Sequence, residues 1–283
     1  MKIAYVISAY KNPDHLSRLV HRLHTGPETR FAVHVDRKTD TSTYDTMRDA
    51  LGDLDGVTFL SRHACHWGGF GHVQASLKGV REVRESGWDP DYAILLSGQD
   101  YPIKPNAYIR DFLHRGDGRS FFLQFPLPTD NWTHGGLDRF RRWHWRYRRA
   151  HVWLPLRRTL PFGLKPWGGS AYWIMSRTAL RTVASFVESN PSYVQFFRHV
   201  DIPDELFFQT ILLNSPEAER CVDFRLHYTE WSRSPAPAIL TSEDYPHLVE
   251  SSCLFARKFD PGVDEELLAL IDAHLLAGTA TPG

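Results

Sequence analysis

Short apolar runs alternate with longer amphipathic segments through the first 125 residues, and this alternation constrains the fold more than any other feature of the chain. Candidate strands are Ile3–Ser8, Phe31–Val35, Val57–Ser61, Ala93–Ser97 and Phe121–Phe125. Between the first two, Leu16, Leu19, Val20 and Leu23 recur at helical spacing behind Asn12 and Pro13, a pair suited to an N-cap and a first helical position. Val73, Leu77, Val80 and Val83 repeat the pattern. Strands connected through helices run parallel, so an α/β protein is expected, with an open, mainly parallel sheet and helices on both faces. Such sheets bind ligands at the carboxyl ends of their strands.

From about residue 131 to 165 the register is lost, and Trp, Arg and Pro dominate. A strand signal returns at Ser170–Ser176, followed by a helix at Thr178–Ser189. Pro203 opens an apolar helix through Leu213, and strand-like Phe224–Trp231 leads into a loop with Pro235 and Pro237. A last helix is expected at about Asp264–Leu276, before a polar tail. No repeat or low-complexity linker interrupts the chain, so residues 1–283 are expected to form one domain.

Charge excludes one broad class. The 33 basic residues balance 33 acidic ones, which argues against a binder of polyanions through global charge and against an acidic disordered chain. Cys65, Cys221 and Cys253 are scattered and cannot all pair, so a disulfide scaffold is excluded and a reducing compartment is the simpler expectation. The first residues carry only a short apolar run and do not resemble a signal peptide, and no stretch approaches a membrane span.

The nucleotide motifs are mostly negative. The first strand-to-helix turn reads Ser8-Ala9-Tyr10-Lys11-Asn12-Pro13, without Rossmann glycines, and no Walker A sequence occurs. Gly68-Gly69-Phe70-Gly71 precedes a helix and is read as a tight turn before an anion site. Ser97 lacks the upstream glycine of a nucleophile elbow.

Acidic residues at strand ends carry more information. Asp36 closes one strand and Asp100 follows Ser97-Gly98-Gln99, so both are expected in the carboxyl-end crevice, as sugar-hydroxyl acceptors or as plain turn residues. Asp53-Leu54-Asp55 and Asp89-Pro90-Asp91 match a metal-binding pattern but precede their strands, at the wrong edge. His63, Cys65, His66 and His72 match no closed zinc motif, since His63 and Cys65 would point to opposite faces if extended.

Seven segments taken together resemble the core-2/I-branching β-1,6-N-acetylglucosaminyltransferase family, glycosyltransferase family 14, which includes the peptide O-xylosyltransferases. They are 4–13, His34-Val35-Asp36, Trp67-Gly68-Gly69, 95–103, Gly169-Ser170-Ala171-Tyr172-Trp173, Pro203-Asp204-Glu205 and 254–260, in the family's order. The resemblance implies a GT-A type, Rossmann-like fold and inverting transfer from a UDP-sugar without a metal cofactor. It divides the domain into a nucleotide-binding half at about 1–125, an acceptor and catalytic half at about 126–262, and a C-terminal helix and tail at 263–283.

The resemblance also assigns roles. Glu205 becomes the base that takes the acceptor hydroxyl proton, although alone it reads as a first-turn acid suited to a helix dipole. Lys258, with Arg257, stabilises the departing diphosphate, and Arg233 stands near the position of a second cation. Asp36, Ser97, Gly98 and Asp100 fall on the donor side; Trp231, Asp204 and Tyr172 fall on the acceptor side. N-acetylglucosamine is the first choice of sugar and xylose the second. The acceptor is a glycan, a lipid-linked glycan or a small molecule. With neither anchor nor paired cysteines, the chain looks like a trimmed bacterial relative, cytoplasmic or peripheral at the inner membrane face.

Arg139 to Arg158 concentrates Arg139, Arg141, Arg142, Arg146, Arg148, Arg149, Arg157 and Arg158 among Trp143, Trp145, Tyr147 and Trp153. It reads as a salt-bridged lid, an interfacial membrane segment, an acceptor loop for anionic glycans or, last, a nucleic-acid grip. A non-catalytic sugar-nucleotide or glycan-binding module and a carboxylate-based glycoside hydrolase remain the alternatives to a transferase.

Overall fold

The computed structural model describes residues 1–147, 150–233 and 236–277, so Arg148 and Arg149 of the basic segment, Ser234 and Pro235 of the later loop and the end of the tail lie outside the described residues. The first half contains β1 (Ile3–Ala9), α1 (Pro13–Leu23), β2 (Thr29–Val35), α2 (Thr41–Leu51), β3 (Val57–Phe59) and α3 (Gly71–Glu85). It continues through β4 (Tyr92–Ser97), β5 (Asp100–Pro102), α4 (Asn106–Gly116), β6 (Ser120–Phe122) and β7 (Gln124–Pro126). Next come α5 (Asp138–Arg141), β8 (Trp143–Tyr147), β9 (Ala150–Leu154), β10 (Trp167–Gly169), β11 (Ile174–Ser176), α6 (Arg177–Ser189) and α7 (Pro191–Phe197). The chain closes with α8 (Phe207–Leu213), β12 (Cys221–Asp223), β13 (His227–Thr229), α9 (Tyr245–Glu250), β14 (Phe255–Arg257) and α10 (Glu266–Leu270).

A seven-stranded sheet in the order β12-β6-β11-β4-β1-β2-β3 forms the centre. All its pairings are parallel except those of β11, which runs antiparallel to β4 and β6. The fold is therefore α/β, with a mostly parallel mixed sheet and flanking helices. Ile3, Tyr5 and Ile7 of β1 enter the core under α1, while Ala4 and Val6 enter the core under α3 and α6. A strand buried on both faces requires helices on both sides, and the apolar stripe of α1 supplies one cover. Leu16, Leu19, Val20 and Leu23 are fully buried, each stabilising by roughly 1.5–3 kcal/mol.

Several expectations need correction. Phe121–Phe125 is two strands: β6 stays in the central sheet, and β7 leaves it to pair with β10. Only Ile174–Ser176 of the segment Ser170–Ser176 is a strand, and only His227–Thr229 of Phe224–Trp231. The apolar segment from Pro203 breaks at Leu206 into a 3-10 turn and α8. Asn12 caps nothing; its side chain instead donates to Asp260. The last helix is α10 continued by a wider turn over Ile271–Leu275. The region without register contains the β8–β9 hairpin, whose strand period is hidden because both of its faces carry aromatics.

Candidate active site

Ser8 near the end of β1 and Tyr10 just past it, Asp36 after β2, and Ser97 at the end of β4 with Gln99 beyond it meet at the carboxyl edge of the sheet. With Tyr172, Asp204, Arg257 and Lys258 opposite, they enclose a pocket of about 330 Å³. Asp36 is held from two loops: its carboxylate accepts from the Lys38 backbone at 2.9 Å and from the Cys65 backbone, between β3 and α3, at 3.3 Å. A carboxylate so fixed can accept from a ligand hydroxyl without reorganising.

Asp100 is not on the pocket surface, contrary to expectation. It is wholly buried and fully engaged. One oxygen accepts from Ser97 Oγ at 2.6 Å and Arg257 Nε at 3.1 Å; the other accepts from the Ser97 backbone at 2.7 Å and faces His227 Nε2 at 3.1 Å. Burial opposes its ionisation, yet His227 and Arg257 outweigh burial and hold the carboxyl well below the usual range. It holds one edge of the Arg257 guanidinium. Gly98 is likewise behind the wall, where its N–H donates to Ser8 and an added Cβ would stand 3.0 Å from that of Ala9. Ser97 does reach the pocket, but its hydroxyl is committed to Asp100.

Arg257 lies with its guanidinium 4.6 Å from the Tyr172 ring centre, one edge on Asp100 and the rest lining the pocket. Burial pushes the Tyr172 hydroxyl pKa up. Burial also lowers the Lys258 pKa, aided by repulsion from Arg257 and Lys11. No side-chain ion pair neutralises Lys258 among the described residues, whereas Lys11 is paired with Asp260 at 2.6 Å. An uncompensated cation beside a crevice attracts an anion strongly. Arg233, by contrast, is paired with Asp244 at 2.6 Å and is not in the wall of this pocket. Trp231 is 55% exposed and also outside the pocket wall.

The acids Asp204 and Glu205 occupy a 3-10 turn behind Ile202, whose φ of 48° is costly for a β-branched residue. The Ile202 N–H donates to Gly68, which pins this turn to the glycine turn before α3. Gly68 has φ 69° and an added Cβ would meet the Arg146 guanidinium at 2.7 Å, so Gly68-Gly69-Phe70-Gly71 is a packing turn. Asp204 lines the pocket with one oxygen buried and without a partner, and burial pushes its carboxyl up to about 6. Burial pushes Glu205 up to about 7, with Arg139 opposing and Asp204 adding to the shift. Two carboxyls poised near neutrality can take protons from weak acids.

Part of the basic segment is paired among the described residues. Arg139 pairs with Glu205, Arg146 with Asp201 and Arg142 with Asp138, and Arg158 donates to the carbonyls of His199 and Phe196. Trp143, Trp145 and Tyr147 alternate along β8 onto one exposed face, opposite Leu154, Val152 and Ala150 of β9. Sequence reasoning missed Arg139 as the partner of Glu205, and it missed His34, Lys38 and Tyr10 in the pocket wall. His34-Val35-Asp36 was the available signal for the first of these.

His63 and Cys65 do not point apart. They lie outside any strand, and Cys65 Sγ is 3.7 Å from His63 Nε2, in a cluster with His34 that excludes His66 and His72. Asp53 and Asp55 precede β3, while Asp89 and Asp91 pair with Arg177 at the amino edge of β4. No helix among the described residues is long and apolar enough to cross a membrane.

The fold and site define an α/β protein whose parallel strands end in a crevice lined by carboxylates and half-buried cations. The chain belongs to the core-2/I-branching enzyme family, whose model matches residues 3–250. It is 27% identical to xylosyltransferase 2 of Rattus norvegicus over 305 aligned positions, covering 100% of this chain and 34% of the relative. It is 28% identical to xylosyltransferase oxt of Drosophila melanogaster, covering 91% of this chain and 32% of that protein. Xylosyltransferase 1 of Rattus norvegicus is 26% identical across 89% of this chain and 33% of its own length. The chain thus spans about a third of the length of these curated relatives.

Proposed function

We propose that this chain is an inverting glycosyltransferase that moves a sugar from a UDP donor to an acceptor hydroxyl, with no metal at the diphosphate. The observation that carries this reading is the convergence, in one pocket, of fixed Asp36, uncompensated Lys258, Asp100-anchored Arg257 and Asp204, with Glu205 next in the same acidic turn though not in the pocket wall. Asp36 suits the uridine, and Lys258 with Arg257 suits the leaving diphosphate in place of a metal. Glu205 is the base, and Tyr172 packs over Arg257 between donor and acceptor. A second reading makes Asp204 the base, because its buried, unpartnered oxygen lines the pocket while Glu205 is held by Arg139.

Xylose moves ahead of N-acetylglucosamine as the proposed sugar, on the names of the relatives. Trp231, exposed beyond β13, fits the apolar face of an acceptor sugar. Strands from both halves enter one sheet, which favours a single GT-A type catalytic domain. Three free cysteines suit a reducing compartment.

UDP release is the test, with UDP-xylose and UDP-N-acetylglucosamine offered against an acceptor panel. Glu205→Gln is expected to lose turnover and keep donor binding; loss in Asp204→Asn alone moves the base to Asp204. Donor binding without turnover in the wild type would identify a binding module, and cleavage of a glycoside without nucleotide a hydrolase.

A further inference from the structure

A second cluster of ligand atoms lies outside the pocket, where the β8–β9 hairpin meets the turn before Pro203. His144 Nδ1 stands 3.0 Å from His151 Nε2, which stands 3.7 Å from Asp201 Oδ1. All three atoms fall within 4.8 Å of one another. In a tetrahedral zinc site with bonds of roughly 2.0–2.1 Å, neighbouring ligand atoms are about 3.3–3.4 Å apart. The two measured edges bracket that value.

The surroundings orient these atoms as metal ligands are usually oriented. His144 is buried and its Nε2–H donates to the Asp138 carbonyl at 2.8 Å, which leaves the Nδ1 lone pair facing the cluster. Asp201 Oδ1 is fixed by Arg146 Nε at 2.6 Å, an outer partner for a ligating carboxylate. The guanidinium also shares the carboxylate charge, so affinity should fall short of that of a thiolate-rich site.

The cluster of His34, His63 and Cys65 is less suited. His63 Nε2 faces the Gly71 carbonyl at 2.9 Å and therefore carries the proton, while its remaining lone pair faces His34 at 3.0 Å, away from the sulfur.

We propose that His144, His151 and Asp201 bind one divalent transition metal, zinc by preference, with water completing the shell. The ion is structural. It ties both hairpin strands to the segment whose backbone bonds, Asp201 to Arg139 and Ile202 to Gly68, set the position of the acidic turn.

The test uses the full chain, stripped with chelator, dialysed and titrated with cobalt(II). One ion per chain is expected, with a visible d–d spectrum, no sulfur-to-cobalt charge-transfer band and displacement by zinc. His151→Ala, at a partly exposed position, should weaken binding by about tenfold or more while keeping the metal-free thermal midpoint. Cys65→Ala should bind as the wild type does. Zinc should raise the midpoint of the wild type and of Cys65→Ala but not that of His151→Ala. Absence of saturable cobalt binding would leave a plain hydrogen-bonded histidine pair and overturn the proposal. So would undiminished binding by His151→Ala, or a charge-transfer band abolished in Cys65→Ala.

Discussion

Arg139 Nη1 donates to Glu205 Oε2 at 2.6 Å while its guanidinium lies 3.5 Å from the centre of the Trp132 ring. The arginine-rich segment and the acidic turn are therefore one electrostatic unit. A charge paired in this way is unavailable to a polyanion, and it shapes the titration of the carboxyl it holds.

The first consequence is a pH profile. With Glu205 pushed up to about 7 by burial, a rate that needs its carboxylate rises as pH climbs through 7. Arg139 attracts the carboxylate and opposes that shift. Arg139→Met should move the acid limb of kcat/KM to higher pH, each pH unit of movement lowering the acid-side rate about tenfold. Arg139→Lys should restore part of the wild-type profile. An unmoved limb would show that Glu205 does not carry it.

The same acids should destabilise the chain. A carboxyl whose folded pKa is raised is protonated in the fold while already ionised in the unfolded chain. Asp204 at about 6 and Glu205 at about 7 thus reduce stability as pH rises from about 4 to 7. Glu205→Gln should lower turnover by roughly 10²–10⁴-fold, while its thermal midpoint at pH 8 equals or exceeds that of the wild type. A lower midpoint at pH 8 would mean that the Arg139 pair stabilises more than burial costs.

Asp100 lies at the opposite extreme. Asp100→Asn removes the countercharge from buried Arg257 and from its contact with His227, and breaking such an arrangement costs about 3–5 kcal/mol. Urea unfolding should show the loss as a lowered midpoint. UDP-sugar KM should also rise, because Arg257 loses its anchor.

Lys258→Ala should weaken UDP binding about 10–100-fold, the worth of a charge-assisted hydrogen bond to a diphosphate. Lys258→Arg should recover part of it, and Arg233→Ala should change little, since Arg233 is held by Asp244. Calorimetric titration with UDP checks all three variants.

The sheet was legible where burial on both faces left apolar runs, as in Ile3–Ser8 and Ala93–Ser97. Phe121–Phe125 was misjudged because an apolar run does not say which partner each residue pairs with, and here the chain changes sheets at Leu123. Short motifs placed Asp36, Asp204, Tyr172 and Lys258 in one pocket. They did not separate Asp100 and Gly98, which support the wall from behind, from residues that form it. The ion pair between Arg139 and Glu205 joins positions 66 residues apart, and no local pattern encodes it.

Two buried histidines work against the two raised carboxyls on the acid side. Burial lowers the His15 pKa to about 4 and that of His34 to about 3, and each keeps a buried Nδ1 without a partner. In the unfolded chain both protonate near 6.5, so below that value the unfolded state binds protons that the fold refuses. The histidines' share of the stability should be complete above pH 6.5 and fall as pH drops toward 4, each contributing up to about 1.4 kcal/mol per pH unit, against the opposite contribution of Asp204 and Glu205. His15→Phe keeps a ring beside Tyr101 and Phe259 but gives up the contact of Nε2 with the Asp100 carbonyl at 3.2 Å. It should therefore be less stable at pH 7 by about 1–3 kcal/mol, and lose less on acidification. The deficit of His15→Phe in urea midpoint should shrink from pH 7 to 4.5, and a constant deficit would show that His15 takes up its proton in the fold as readily as in the unfolded chain.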